Sequence, residues 1–300
     1  MSDPLSEVVR LLQPHGVFAN PISGKGKWAI RYSSYGKPSF CIMLEGSCLL
    51  AVDGHDPITI SAGDFVLLPA TPPFTISSIE PGPCIQVDPH AMTEGVDERR
   101  YGEQDGQPEM RSLGGAFLFD NADPQLLISL LPGVVHVQNS RRLTQLVHML
   151  GEEYADLQPG SEFMLSRLIG MMLVEAMRST TAGSAPPGLL RGLGDERLAP
   201  ALKQMHAQVD HAWTVGELAR TAALSRSAFF NRFTRTVGVP PMEYLLSWRT
   251  EIAKDLLRRE GLSVSEVAER VGYGSISTFS VAFTRHVGQS PSRYASSGLL

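Results

Sequence analysis

A stretch near the C-terminal end of this 300-residue chain is written twice. VGELAR, with Glu217, Ala219 and Arg220, returns 49 residues later as VSEVAE, with Glu266, Ala268 and Glu269. Past the next turn the offset becomes 50, and Ser225, Phe229, Phe233, Gly238, Pro241 and Tyr244 match Ser275, Phe279, Phe283, Gly288, Pro291 and Tyr294. Self-similarity at a fixed period means one supersecondary unit used twice; here it reads as short helix, tight turn, second helix. In the first copy Thr214 stands three residues before Glu217, the spacing of a capping box. Val215, Leu218, Ala219 and Ala222 fall on one helical stripe. The chain turns at Ala223 and Leu224, and Ser225 is placed to cap the next helix, whose Phe229 and Phe233, four apart, share a buried face. The second copy repeats the plan. Ser263 caps, Val264, Val267, Ala268 and Val271 pack, Gly272, Tyr273 and Gly274 turn, and Ser275 opens a helix with Phe279 and Phe283 inward.

Two helices joined by a turn of three or four residues form the helix-turn-helix, whose second helix enters the DNA major groove. On the outer surface of the second helices lie Ser227, Phe230 and Asn231 in one copy and Ser277, Thr278 and Val281 in the other. These are the expected base-reading positions. Ser225, Arg226, Arg232, Arg235, Arg249, Ser275 and Arg285 are the expected phosphate contacts, which position a protein without reading sequence. Pro240 and Pro241 start a connecting helix through about Arg259, Pro being favoured at a first helical position. About 20 residues at roughly 1.5 Å each span about 30 Å, close to the DNA repeat of about 34 Å that separates successive major-groove faces. Helical pairs that serve only protein contacts are the alternative, and they would bind without salt dependence.

Residues from about Leu198 to Tyr294 resemble the DNA-binding domain of the AraC/XylS family of bacterial transcription regulators. WTVGELARTAALSRSAFFNRF is similar to the family's first unit and SVSEVAERVGYGSISTFSVAFTRHVGQSPSRY to its second. The resemblance implies double-stranded DNA as a partner, contact with RNA polymerase, homodimerisation, and activation more than repression. Family members often carry Arg or Gln in place of Asn231 and Arg in place of Val281. Arg reads guanine with two hydrogen bonds and Asn pairs with adenine, whereas Val offers only apolar contact. The second unit is therefore expected to read less sequence than the first.

Charge agrees with this division. From Asp195 onward, 13 Lys and Arg stand against 10 Asp and Glu, a net of +3; the preceding residues carry 13 against 21, a net of −8. A basic C-terminal part favours phosphate. No apolar run approaches the length of a membrane span, and the start MSDPLSEVVRLL, with early acids, is no secretory signal. The expected location is the cytoplasm. Three cysteines, Cys41, Cys48 and Cys84, lack Cys-x-x-Cys spacing and read as reduced, mostly buried thiols.

In the N-terminal half, Ser2 to about Leu12 alternates like a short amphipathic helix. From Trp28 to Val87 short apolar runs (Cys41–Leu44, Cys48–Val52, Phe65–Leu68) are separated by turn signals, Asp53-Gly54 among them. Such spacing fits a small sandwich or barrel. PSFCIMLEGSCLLAVDG and ISAGDFVLLPATPPF resemble the cupin-like sensor domain at the N-terminus of one AraC-type subgroup. Catalytic cupins hold a metal with clustered His and a carboxylate; this chain lacks the His-x-His pair, and relatives commonly place His near Cys41 and Phe74. His55 and His90 read as surface residues. No catalytic residue, metal or cofactor is expected, and the chain is not expected to be an enzyme. What remains is an apolar cavity for a small-molecule effector, with Trp28, Tyr32, Phe40, Met43, Phe65 and Phe74 as candidate lining. Two alternatives stay open: a thiol-based redox sensor using one of the cysteines, and a cupin metalloenzyme fused to a DNA-binding module.

AFLFD, ending at Asp120, reads as a last strand. Two helical segments follow, one with the stripe Leu143, Leu146, Val147 and Leu150, the other from Phe163 to Met177. They are expected to cover their own sheet and to pair between subunits. Ser179 to Gly194 is rich in Ser, Thr, Ala, Gly and Pro and reads as a linker. The expected architecture is α+β in two domains. Residues 1–178 form a cupin-like β-barrel or sandwich with following helices; residues 195–300 form an all-α double helix-turn-helix.

Overall fold

Period-two alternation builds the larger unit. In β4 (Ser47–Val52), Cys48, Leu50 and Val52 point inward and their neighbours face out. The computed structural model describes residues 3–12, 14–91, 98–119, 131–138, 140–180, 187–259 and 261–296. The strands are β1 (Pro14–Lys25), β2 (Ala29–Tyr32), β3 (Ser39–Glu45), β4, β5 (Ile58–Ser61), β6 (Phe65–Leu68), β7 (Phe74–Ser77), β8 (Cys84–Val87), β9 (Arg99–Gly102), β10 (Met110–Phe119) and β11 (Val135–Val137). They form one sheet in the order β11-β6-β3-β10-β1-β9 and another in the order β5-β4-β7-β2-β8. Pairing is antiparallel except for β1 with β9 and β2 with β8. An apolar core that includes Ile30, Met43, Leu50, Ile60, Val66 and Ile76 fills this unit.

The apolar runs at residues 41–44, 48–52 and 65–68 all lie in strands, and Gly54 takes the positive φ its hairpin needs, 81°. Two expectations need correction. Strand structure starts at Pro14, well before Trp28. It is hidden in the sequence by Pro14, Gly16, Pro21 and Gly24, but among the described residues β9 pairs with β1 only from Ile22 to Lys25, so Pro21 lies beyond that ladder. The strand ending at Phe119 is also not the last: β11 pairs antiparallel with β6.

Helices α2 (Arg141–Ala155) and α3 (Ser161–Thr180) follow. Ser140 caps α2, its Oγ accepting from the Leu143 N–H at 3.2 Å. Leu143, Val147 and Leu150 from α2 and Leu168, Ile169, Met172, Leu173, Ala176 and Met177 from α3 are buried, so the expected stripes do cover the unit's own sheet.

The second unit joins residues 1–13 to residues 181–300. A domain boundary drawn along the chain therefore cuts differently from the packing. Helix α1 (Pro4–Leu12) starts with Pro at its first position, and Asp3 Oδ2 accepts from the Ser6 N–H at 3.2 Å. Its apolar face, Leu5 and Val8, is buried against the C-terminal helices. The other helices are α4 (Leu189–Gly194), α5 (Ala199–Ala207), α6 (Val215–Thr221), α7 (Arg226–Val237), α8 (Pro241–Arg259), α9 (Val264–Arg270), α10 (Ile276–Val287) and α11 (Pro291–Ser296). Helix α4 lies inside the expected linker, because Leu189 and Leu190 are buried as Gly192 packs close to Leu202 and Val237; residues 181–186 of that linker lie outside the described residues. None of the described helices is long and apolar enough to cross a membrane.

Candidate nucleic-acid interface

The repeat in the sequence is a repeat in space. Thr214 Oγ1 accepts from the Glu217 N–H at 3.2 Å while Glu217 Oε2 accepts from the Thr214 N–H at 2.8 Å. Ser263 and Glu266 do the same at 3.3 and 2.9 Å. The Thr214 and Ser263 hydroxyls also donate to these carboxylates at 2.8 and 2.7 Å, and with the backbone N–H bonds they hold both glutamates below the usual carboxylate range. Phe229 and Phe233 pack at 5.5 Å and Phe233 meets Tyr244 edge-on at 5.8 Å; Phe279, Phe283 and Tyr294 repeat this at 5.6 and 5.6 Å. Gly238 and Gly288 end α7 and α10 in the left-handed conformation, φ 90° and 81°.

Helix α8 belongs to both units. Leu245 and Trp248, on its first half, are buried on the side of the first, and Ala253, Leu256 and Leu257 enter the core of the second with Val267, Val271, Phe279 and Phe283. Its 19 residues span about 28 Å at roughly 1.5 Å each. The spacing between units is thus set by one continuous helix. Arg249 fixes the join: it donates to the carbonyls of Val209 and His211 at 2.8 Å each and lies 5.8 Å from the centre of the Tyr273 ring. Tyr273 is in the second turn and Val209 precedes the first unit, so one side chain ties both.

Ser227, Phe230, Asn231, Ser277, Thr278 and Val281 are all exposed. Val281, 71 % exposed, and Phe230, 41 %, are apolar side chains left in water on helices that bury Phe229, Phe233, Phe279 and Phe283 completely. Ile276, 48 % exposed at the first position of α10, joins them and was not singled out by sequence pattern. Its match at an offset of 50 is Arg226, and that equivalence was the available signal.

Ser225 and Ser275 cap α7 and α10, accepting from Ala228 and Thr278 N–H groups at 3.2 Å each. Arg226, Arg235 and Arg285 are exposed, and Arg226 lies over Gly216, where a Cβ would come within 2.8 Å of its Nε. The other two arginines expected at phosphates have partners inside the protein. Arg249 holds the two carbonyls described above, and Arg232 donates Nε to Asp195 at 2.8 Å. Burial opposes ionisation of Asp195, yet that bond and the Arg197 and Leu198 N–H groups keep it below the usual carboxylate range. The sequence shows an arginine's position on a helix but not the carbonyls that reach it from forty residues away.

The β-unit contains a cavity of about 190 Å³. Of the expected lining, Tyr32, Phe40 and Phe74 border it, with Tyr32 and Phe74 stacked at 4.8 Å; Trp28, Met43 and Phe65 are core residues that do not. Pattern reading missed Asn20, Ile22, Cys41 and Ile76, and the small residues Gly114, Gly115 and Ala116 that leave the space open. Burial pushes the Cys41 thiol up to about 12 and raises Cys48 too, while Cys84 is exposed on β8. His55 and His90 are exposed. Among the described residues no group of three or more His, Cys, Asp or Glu side chains is arranged to hold a metal ion.

Comparison with known proteins bears on both parts. Residues 3–182 match a family model described as Cupin, and residues 218–297 match one described as Helix-turn-helix domain. The chain is 35 % identical over 301 residues, covering 97 % of itself and 98 % of its relative, to an AraC-like transcription regulator of Streptomyces antibioticus. It is 27 % identical over 297 residues, 97 % of this chain and 96 % of the other, to the RCS-specific HTH-type transcriptional activator RclR of Escherichia coli K12. The crystal structure of the DNA-binding domain of AdpA with a target DNA is 31 % identical, covering 34 % of this chain and 93 % of that one, at a TM-score of 0.33.

Proposed function

Because this chain belongs to the AraC-like transcription regulators, with a cupin domain before its helix-turn-helix domain, we propose that it is an effector-responsive activator that lays α7 and α10 into two successive major grooves. The duplicated geometry carries the reading: two capped, Phe-packed wedges joined by one helix whose length approaches a turn of DNA. Ser227, Phe230 and Asn231 read bases in one groove. Ser277, Thr278 and Val281 do so in the next, where apolar Val281 and Ile276 suit thymine methyl groups. Arg226, Arg235 and Arg285, with the helix N-termini at Ser225 and Ser275, hold phosphates. Arg232 and Arg249 act from inside, fixing the wedges.

The β-unit senses a small molecule in its cavity, and a second copy of the chain pairs through the outer face of α2 and α3. Support for pairing comes from Met149, Phe163, Met164 and Met171, exposed on those helices. RNA polymerase is the expected partner at the promoter, and the name of the Escherichia coli relative, an activator, supports activation. The thiol-sensor reading stands on Cys84 alone, since burial keeps Cys41 and Cys48 protonated.

A footprint on the DNA flanking its own gene tests the proposal. The full chain is expected to protect two major-groove faces about one turn apart on the same side of the duplex. Absence of any protected segment at low ionic strength refutes it.

A further inference from the structure

The cavity is lined without charged side chains, and the buried Asn20 amide in its wall sets the chemistry it accepts. Strand register explains the space. Asn20 on β1, Gly114 on β10 and Cys41 on β3 stand side by side in one row. Residues in one row point to the same face, so Asn20, Gly114 and Cys41 share a face; Ile22 Cδ1 lies 2.9 Å from where a Gly114 Cβ would stand, and the bare Gly114 backbone forms part of the cavity wall. Ala116, paired with Ser39, continues this wall. Across it, from the other sheet, stand the stacked rings of Tyr32 and Phe74 with Ile76.

Most polar groups around this space are already occupied. Thr71 Oγ1 lies within reach of the Lys37 and Leu68 carbonyls, to one of which it donates its single proton, and 2.7 Å from Ser39 Oγ, from which it accepts. Cys41 is a neutral thiol. Asn20 differs: it is 2 % exposed, and among the described residues its Oδ1 has no hydrogen-bond partner. A buried acceptor without a partner is costly and marks a site completed by something else. An ionised ligand would lose its hydration here and find no opposite charge. The volume, about 190 Å³, exceeds the roughly 150 Å³ that admits benzene, so the space takes one ring with a few further atoms.

Resting on the reading of the β-unit as an effector sensor, we infer that the cavity binds an uncharged, ring-sized aromatic molecule carrying one hydroxyl or N–H donor, which bonds Asn20 Oδ1 while the ring packs on Tyr32 and Phe74. A charged acid or amine of the same size is excluded.

The test is isothermal titration of the full chain with four matched probes: p-cresol, toluene, p-hydroxybenzoate and tyramine. The expected order is p-cresol first, toluene about tenfold weaker for want of the donor, and the two ions at least about a hundredfold weaker. Asn20→Leu is expected to abolish the preference for p-cresol over toluene while keeping toluene binding, which also shows that the variant is folded. Equal binding of toluene and p-cresol by the natural chain, binding of either ion within tenfold of p-cresol, or no binding of any probe overturns the assignment. Ala116→Phe separates this from the underlying reading, since its ring fills the cavity. If the variant changes the footprint, the cavity still controls DNA binding and only the ligand class fails. If the footprint is unchanged and no probe binds, the sensor reading fails too.

Discussion

The same position in the two turns holds different residues, and the difference is predicted to matter in opposite directions. Ala223 and Gly272 occupy equivalent places: each donates to a carbonyl three residues back, Arg220 and Glu269, both at 3.0 Å, and each has positive φ, 51° and 79°. An L-residue in that conformation costs about 1–2 kcal/mol. Ala223→Gly removes this strain and loses about 0.5–1 kcal/mol to the freer unfolded chain, so it is expected to be neutral or to stabilise by up to about 1.5 kcal/mol. Gly272→Ala adds the strain and meets an obstacle. Its Cβ would lie 2.4 Å from the Asp210 carbonyl oxygen and 2.7 Å from Arg249 Nη2. The backbone carbonyl yields only if the loop moves, and displacing Arg249 endangers its bonds to Val209 and His211. With overpacking of about 1–3 kcal/mol, less about 0.5–1 kcal/mol for the stiffer unfolded chain, the total comes to about 1–4.5 kcal/mol. Hydrogen exchange of peptides from α8 to α10 in the full chain reads the loss locally, and fluorescence anisotropy on an operator reads its effect on DNA affinity. Equal and small effects of the two substitutions would show that the Asp210 carbonyl and Arg249 do not brace the second turn.

Other consequences follow from particular contacts. Asn231→Ala is expected to relax base preference at one operator position by about 1–3 kcal/mol, measured by competition among operator variants; a uniform loss across sequences would refute base reading. Arg285→Ala should lower the slope of log affinity against log salt by about one, and an unchanged slope would remove it from the phosphate contacts. Removing residues 1–13 uncovers the surface that Leu5 and Val8 cover, so at about 1.5–3 kcal/mol per buried side chain the C-terminal unit should lose about 3–6 kcal/mol in thermal melts. His206 is buried, with Nε2 2.7 Å from Tyr244 Oη and Nδ1 3.2 Å from Glu7 Oε2. Burial holds its pKa below the ordinary value although Glu7 pulls it up, so on acidification the unfolded chain takes the proton first. Its contribution is therefore complete above about pH 6.5 and lost as the pH falls through the folded value. His206→Gln should flatten that part of the melting-temperature profile, and an unchanged profile would exclude the histidine.

Legibility followed the range of the interaction. Caps, turns and Phe pairs join residues three or four apart, so the wedges, α8 and the outward positions of Asn231 and Val281 could all be read from sequence. Strand β1 could not, because its prolines and glycines break the alternation and only its neighbours β10 and β9 make it a strand. The cavity was legible as a place for apolar residues but not as a shape. Trp28, Met43 and Phe65 are equally apolar and went into the core, whereas the opening depends on which row of three strands contains Gly114.

What the amino-acid order determined by itself was the capped, locally patterned elements, the two matched wedges and the rod between them. Tertiary structure alone decided that α1 joins the C-terminal helices through Glu7 and His206, 199 residues apart. It also turned Arg249 and Arg232 to internal partners and left the buried Asn20 Oδ1 without a partner among the described residues. Those outcomes depend on which distant groups meet, and a burial or hydrogen bond between distant residues leaves no periodic mark in the chain.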